Sequence, residues 1–283
     1  MGVHPCLTLN RMTPQVFRSF GFSPAMHAVI AGEFEAPMRG YQRVTPESLY
    51  PYPPALLPFW DNDNPSMLGV WQRRFIDRPP TIVSFHLELP FAYEEARNER
   101  QFLLTRAFQY VEARGITPEL RQFLDAYPLA PDDLLLEAVR QHGDSPQGLR
   151  LFSSERDTLP MEVMQAGDTY TGFHPVSSKR LDGVYLQHPP GLICGFEFDP
   201  DTSDPALASS MPWLDPDSDI PDLFRQLLAQ GRYAEAWMTL NSPGLGSPGW
   251  DDASLADGLR QMGSLLRDPE FDVVVAGWLH HHP

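Results

Sequence analysis

Prolines fill positions 51, 53, 54 and 58, and they run directly into Leu56-Leu57-Pro58-Phe59-Trp60. A segment so rich in proline excludes a helix or a central strand, because each ring removes a backbone donor and fixes φ. Beyond it the aromatics continue through Leu68-Gly69-Val70-Trp71 to Phe75, with Asp61 and Asp63 alongside. Alternating, β-branched and aromatic patterning predicts two strands, near Met67–Phe75 and Thr81–Leu89. The turn Asp77-Arg78-Pro79-Pro80 joins them as a hairpin.

Helical periodicity then takes over. Over Tyr93–Ala113 the residues Phe102, Leu103, Ala107, Tyr110 and Val111 fall on one stripe, and Gly115 ends it. Thr117-Pro118-Glu119 opens the next helix with a hydroxyl cap, a first-turn proline and an acid at the positive dipole end. Pro131-Asp132-Asp133 opens another, running to Gln141 and stopped by Gly143. Gly148–Phe152, Gly183–Leu186 and Leu192–Phe198 read as strands. Further helices are predicted over Asp222–Gln230, Arg232–Leu240, Asp251–Leu266 and Phe271–Leu279, and one more near Pro14–Phe20.

Composition bounds the class. In 283 residues, 42% are hydrophobic and 20% charged, which suits a globular protein with a substantial core. No apolar run reaches the roughly 18 residues of a membrane span. The N-terminal residues lack a basic then apolar leader, and two cysteines make no disulfide framework, so a reducing cytoplasm is expected. The 21 basic residues face 37 acidic ones, for a net charge of −16. That disfavours a phosphate-binding surface and favours basic partners. Eight of the acids lie within Glu197–Asp222, with five prolines and no basic residue. This stretch is expected to be a loop or linker. The division that follows is 1–198, an acidic linker over 199–221, and a helical subdomain over 222–283.

Each candidate for chemistry has a plainer reading beside it. Gly244-Leu245-Gly246-Ser247-Pro248-Gly249 matches a dinucleotide fingerprint literally, but a helix precedes it and Pro248 sits inside it, so a loop is expected. Asp215, Asp217 and Asp219 resemble the opening of a calcium loop, yet Ile220 and Gln226 stand where glycine and glutamate are required. His280, His281 and His282 lack metal-ligand spacing. Cys194 lies in an apolar run and has no neighbouring base, although His174 or His188 could approach it in the fold. Glu88, Glu94 and Glu95 read as a solvated face or as partners of a helix N-terminus. No motif calls for a cofactor or a metal.

Phe59, Trp60, Trp71 and Phe75 suit either core packing or a recognition patch, since aromatics and arginines are enriched at binding hot spots and Arg73, Arg74 and Arg78 lie close in sequence.

Three segments carry a family resemblance. They are Tyr52–Trp60 with Gly69-Val70-Trp71, the acidic helix ending in His142-Gly143-Asp144-Ser145-Pro146, and Ala236-Trp237-Met238-Thr239-Leu240-Asn241-Ser242-Pro243-Gly244 with its continuation to Ala276-Gly277-Trp278-Leu279. In this order they resemble bacterial proteins of the SUKH superfamily, relatives of the yeast cell-wall-assembly regulators that include many toxin-immunity proteins. The resemblance covers the chain from about Tyr52 onward, and this chain is longer than the compact SUKH domain.

It implies an α+β fold, an antiparallel sheet packed by helices, and a protein-binding module that neutralises a toxin such as a nuclease or deaminase. The expected partner is a basic protein, with no nucleic acid and no membrane. The expected contact residues are Phe59, Trp60, Asp61, Asp63, Trp71, Asp215, Asp217 and Asp219. Two other classes stand beside this one. One is a hydrolase with a scattered site drawn from Cys194, His86, His142, His174 and His188. The other is a scaffold without a toxin partner.

Overall fold

The structure is a computed structural model. It describes residues 17, 20–32, 42–44, 52–62, 64–86, 89–165, 167–174, 191–197, 209–242 and 252–281. The fold is α+β. Five antiparallel strands follow one another across a single sheet in chain order: β1 (Gln42–Arg43), β2 (Leu56–Asn62), β3 (Asn64–Trp71), β4 (Thr81–His86) and β5 (Leu89–Ala96). Helix α1 (Pro24–Ala31) precedes β2. After the sheet come α2 (Glu99–Arg114), α3 (Pro118–Ala126) and α4 (Asp132–His142), several 3-10 turns, and then α5 (Ile220–Ala229), α6 (Tyr233–Leu240), α7 (Asp252–Leu266) and α8 (Pro269–His281).

Period-two alternation sorts the sheet's side chains between two helical layers. On β3, Leu68 and Val70 join Phe102, Leu104, Phe108 and the α3–α4 residues Leu120 and Leu135 in one core. Met67 and Trp71 point the other way, into a second core with Phe224, Trp237, Leu259 and Phe271 of the C-terminal helices. Strand β4 divides likewise, Ile82 to the first core and Val83 and Phe85 to the second. Both faces of the sheet are therefore covered, which explains why Thr81, Ile82, Val83 and Phe85 of β4 are buried although they alternate in direction. Burying each of these large side chains contributes about 1.5–3 kcal/mol.

Strand β2 corrects the reading of the proline segment. Pro58 lies inside it, paired with Gly69 of β3. The strand tolerates the ring because β1 pairs with Trp60 and Asp61, and among the described residues Pro58 has a strand partner on one side. A register shift between Pro58 and Trp60 turns both Phe59 and Trp60 toward the first core. Gly69 is required at this crossing, since a Cβ there would meet the Leu57 carbonyl oxygen at 2.5 Å.

The helix starts follow local chemistry. The Asn98 side chain accepts from the Gln101 amide at 2.9 Å and opens α2, and the Thr117 hydroxyl does the same for α3. Gly115 (φ 73°) and Gly143 (φ 63°) end α2 and α4. Three expectations fail. Tyr93–Ala96 belongs to β5, not to a helix, because pairing with β4 outweighs helical propensity there. The expected strands at Gly148–Phe152 and Leu192–Phe198 contain 3-10 turns, Pro146–Leu151 and Gly195–Glu197, because an apolar run signals burial rather than a ladder. The expected strand Gly183–Leu186 lies outside the described residues, as does most of the helix near Pro14–Phe20.

Candidate functional site

Three of the four aromatics weighed as a recognition patch are core residues. Phe59, Trp60 and Trp71 are 2%, 6% and 1% exposed. Phe59 and Trp60 pack edge to face at 5.3 Å between ring centres, and Phe102 of α2 lies 5.5 Å and 5.7 Å from them. Asp61 is buried beside them, and Asp63 lies outside the described residues. Two covered sheet faces leave these four side chains no route to a partner. Phe75 is 37% exposed, at a left-handed φ of 68°, with its ring against Trp237 and Phe271. It caps the second core.

The densest polar chemistry lies along the second core, at the β5 edge, and sequence reasoning did not assemble it. Glu197, on the turn Gly195–Glu197, is fully buried. It accepts from Trp71 Nε1 at 3.0 Å and Arg73 Nε at 2.8 Å, and Arg78 stands 3.8 Å away. Burial works against its charge, but the guanidiniums of Arg73 and Arg78, with His174 close by, hold the carboxyl below the usual carboxylate range. Arg73 also donates to the Pro79 carbonyl at 3.0 Å and the Thr81 hydroxyl at 3.2 Å.

Its remaining arm meets His174 Nδ1 at 2.8 Å. A guanidinium has no acceptor, so Nδ1 must accept and the imidazole is neutral. Burial, with Arg73 beside it, pushes the His174 pKa down to about 3.

The chain of contacts continues. The His174 amide donates to the Tyr170 hydroxyl at 3.1 Å, and that hydroxyl donates to Glu94 at 2.5 Å. Glu94 also accepts from the Met161 amide at 3.1 Å, and Arg97 lies 3.5 Å away. Burial pushes the Glu94 carboxyl up despite these partners. Glu94 is therefore neither a solvated face nor a helix partner, and Glu197 does not belong to a solvated acidic stretch. Both face inward because their neighbours on the chain are buried and guanidiniums wait for them.

Cys194 and His174, two of the residues weighed as a scattered catalytic set, meet this network with a carboxylate. The Cys194 thiol faces Glu197 Oε2 at 3.6 Å, and His174 turns its lone pair to Arg73. Burial and the adjacent carboxylate raise the thiol well above its ordinary range. The arrangement holds a protonated thiol and a neutral imidazole whose Nδ1 lone pair is already occupied. His86 and His142 lie elsewhere, at the end of β4 and the end of α4, and His188 lies outside the described residues.

The acids of the proposed contact loop are exposed. Asp215, Asp217 and Asp219 sit on the turn between Trp213 and α5. Asp215 accepts from the Asp217 amide at 3.0 Å, and Asp219 caps α5 by accepting from the Asp222 amide at 2.9 Å. The carboxylates of Asp215 and Asp219 therefore serve the backbone rather than converging on a centre. Among the described residues no three His, Cys, Asp or Glu side chains group so as to hold a metal. The stretch also buries more than expected: Met211 and Trp213 enter the second core, and Trp213 Nε1 donates to the Ile193 carbonyl at 2.7 Å.

Among the described residues no helix is long and apolar enough to cross a membrane. The glycine-rich match at Gly244–Gly249 and the side chains of His280–His282 lie outside the described residues. Comparison with models of protein families, with curated proteins and with solved structures finds no match to this chain.

Proposed function

We propose that this chain is a non-catalytic protein-binding module of the immunity type, which neutralises a basic toxin of nuclease or deaminase class. Its support is the SUKH-like order of segments together with electrostatics. The single observation that carries the reading is the exposed acidic turn Asp215–Asp219, continued by Asp222 on α5, in a chain of net charge −16. Such a surface raises the encounter rate with a cationic partner and selects against acidic ones.

The test starts from affinity capture in native lysate at low and high salt. The expected result is one stoichiometric basic protein, lost at high salt, whose toxic activity is inhibited by an equimolar amount of this chain. Recovery of the chain alone, or a captured protein whose activity is untouched, overturns the reading. Replacing Asp215, Asp217 and Asp219 by Asn should slow association several-fold at low ionic strength and leave dissociation nearly unchanged. Asn caps a helix as well as Asp, so stability should move by less than about 0.5 kcal/mol.

A hydrolase is the second reading, favoured by one observation: Cys194, His174 and Glu197 meet in one network. A thiol reagent that labels Cys194 in the folded protein at neutral pH, with the kinetics of an activated thiolate, would favour it. Labelling only after denaturation is the outcome expected of a protonated, buried thiol.

A further inference from the structure

We propose that residues 167–174 form a strap locked onto the β5 edge by the Arg73–His174 hydrogen bond, a joint that acid releases by protonating His174 in the open strap.

The strap contains no α-helix or strand, and Gly167, Thr169, Thr171 and Phe173 along it are exposed. Polar contacts hold it. Asp168 pairs with Arg150. The Thr171 hydroxyl donates to the Asp157 carbonyl at 2.9 Å and accepts from Arg97 at 3.0 Å. Arg97 stacks on the Tyr170 ring at 4.3 Å, and the Phe173 carbonyl accepts from Arg78 at 3.4 Å. Tyr170 and His174 supply the anchors, and His174 is 0% exposed. Polar, exposed segments of this kind open locally at free energies below that of global unfolding.

The joint tolerates one protonation state only. Nδ1 accepts from a permanent cation, so a proton there removes the hydrogen bond and sets a second positive charge against it. The groups facing His174 are Arg73 and Arg78 from the β3–β4 connection, Glu197 from its 3-10 turn, the Ala92 backbone from β5, and Tyr170 with Glu94 behind it. Glu197 and the Ala92 backbone favour the imidazolium, but burial and the two arginines outweigh them.

In the open strap His174 regains its ordinary pKa of 6.5, against about 3 when closed. The closed state thus binds the proton less well. Its advantage is complete above 6.5 and falls by about tenfold per pH unit as the pH drops toward 3. Glu197, also depressed, acts in the same sense below 4.5. Glu94 is raised by burial, so its contribution fades as the pH rises and opposes that of His174. A variant comparison isolates the histidine from both carboxyls.

The experiment is amide hydrogen exchange of 167–174 in the full chain, wild type against His174→Gln, from pH 7 to pH 4.5. Gln offers a carbonyl oxygen to Arg73 and does not titrate. The ratio of the wild-type opening constant to that of the variant should rise about tenfold per unit of acidification below pH 6. A ratio independent of pH overturns the proposal. Should His174→Gln not fold, imidazole NMR of the wild type decides: a ring that stays neutral to pH 4 with Nδ1 unprotonated upholds the joint, and a ring that titrates near 6.5 in the closed protein overturns it.

Discussion

The sheet is held in two different ways. Against α1 and α2 the contact is mainly apolar: Phe17, Phe59, Trp60 and Phe102 interlock ring to ring, with the Arg106 guanidinium stacked on Phe102 at 4.8 Å at their margin. Along the β5 edge, the contact runs through Trp71, Arg73, Arg78, Glu94, His174 and Glu197, linked by directional bonds. Each region buries a tryptophan from a neighbouring strand, Trp60 or Trp71. The apolar contact depends on shape and volume and forgives substitutions that keep both. The polar one depends on each member, because any removal strands a buried charge in a medium that solvates it poorly.

The contrast breaks most sharply at Glu197. Glu197→Gln keeps the shape and removes the charge facing Arg73 and Arg78. Urea unfolding should show a loss of about 3–5 kcal/mol, insensitive to added salt. A loss below about 1 kcal/mol would mean that the two arginines do not need this carboxylate.

Trp71→Phe keeps the ring in the second core and removes the indole donor to Glu197. It should cost about 2–3 kcal/mol, combining a hydrogen bond to a charged group with a small cavity. On the apolar side Leu104→Met, at a site 0% exposed, should cost less than about 1.5 kcal/mol. A thermal shift as large as that of Trp71→Phe would erase the distinction between the two regions.

Legibility in the sequence follows the same line. Helices announced by local chemistry were predicted nearly at their true bounds: Thr117 and Pro118 mark α3, Asp132 and Gly143 bracket α4, and the stripes of α5–α8 end within about two residues of their observed limits. Strand β2 is hidden in the sequence because Pro58 argues against a ladder, and the shortness of β1 makes it tolerable.

The aromatics were ambiguous, since Trp71 on a covered sheet and Trp71 on an open one look alike in sequence. The buried network was not legible. Its members stand at 73, 78, 94, 174 and 197, and nothing local links them. The one signal was Glu197 set between Phe196 and Phe198, an acid flanked by apolar neighbours.

The first backbone groups of the β2 segment wait for partners made much later. Trp278 Nε1 donates to the Tyr52 carbonyl at 2.9 Å, and Asn241 Oδ1 accepts from the Ala55 amide at 2.6 Å. On a ribosome adding roughly 5–20 residues per second, the 226 positions between Tyr52 and Trp278 take on the order of 10–45 s. Once the first core is complete at Met164, the nascent sheet carries one finished face and one apolar face that still lacks its helices. Chaperones and stray strand edges compete for Met67, Trp71 and Phe85 until α6 and α8 arrive to cover them.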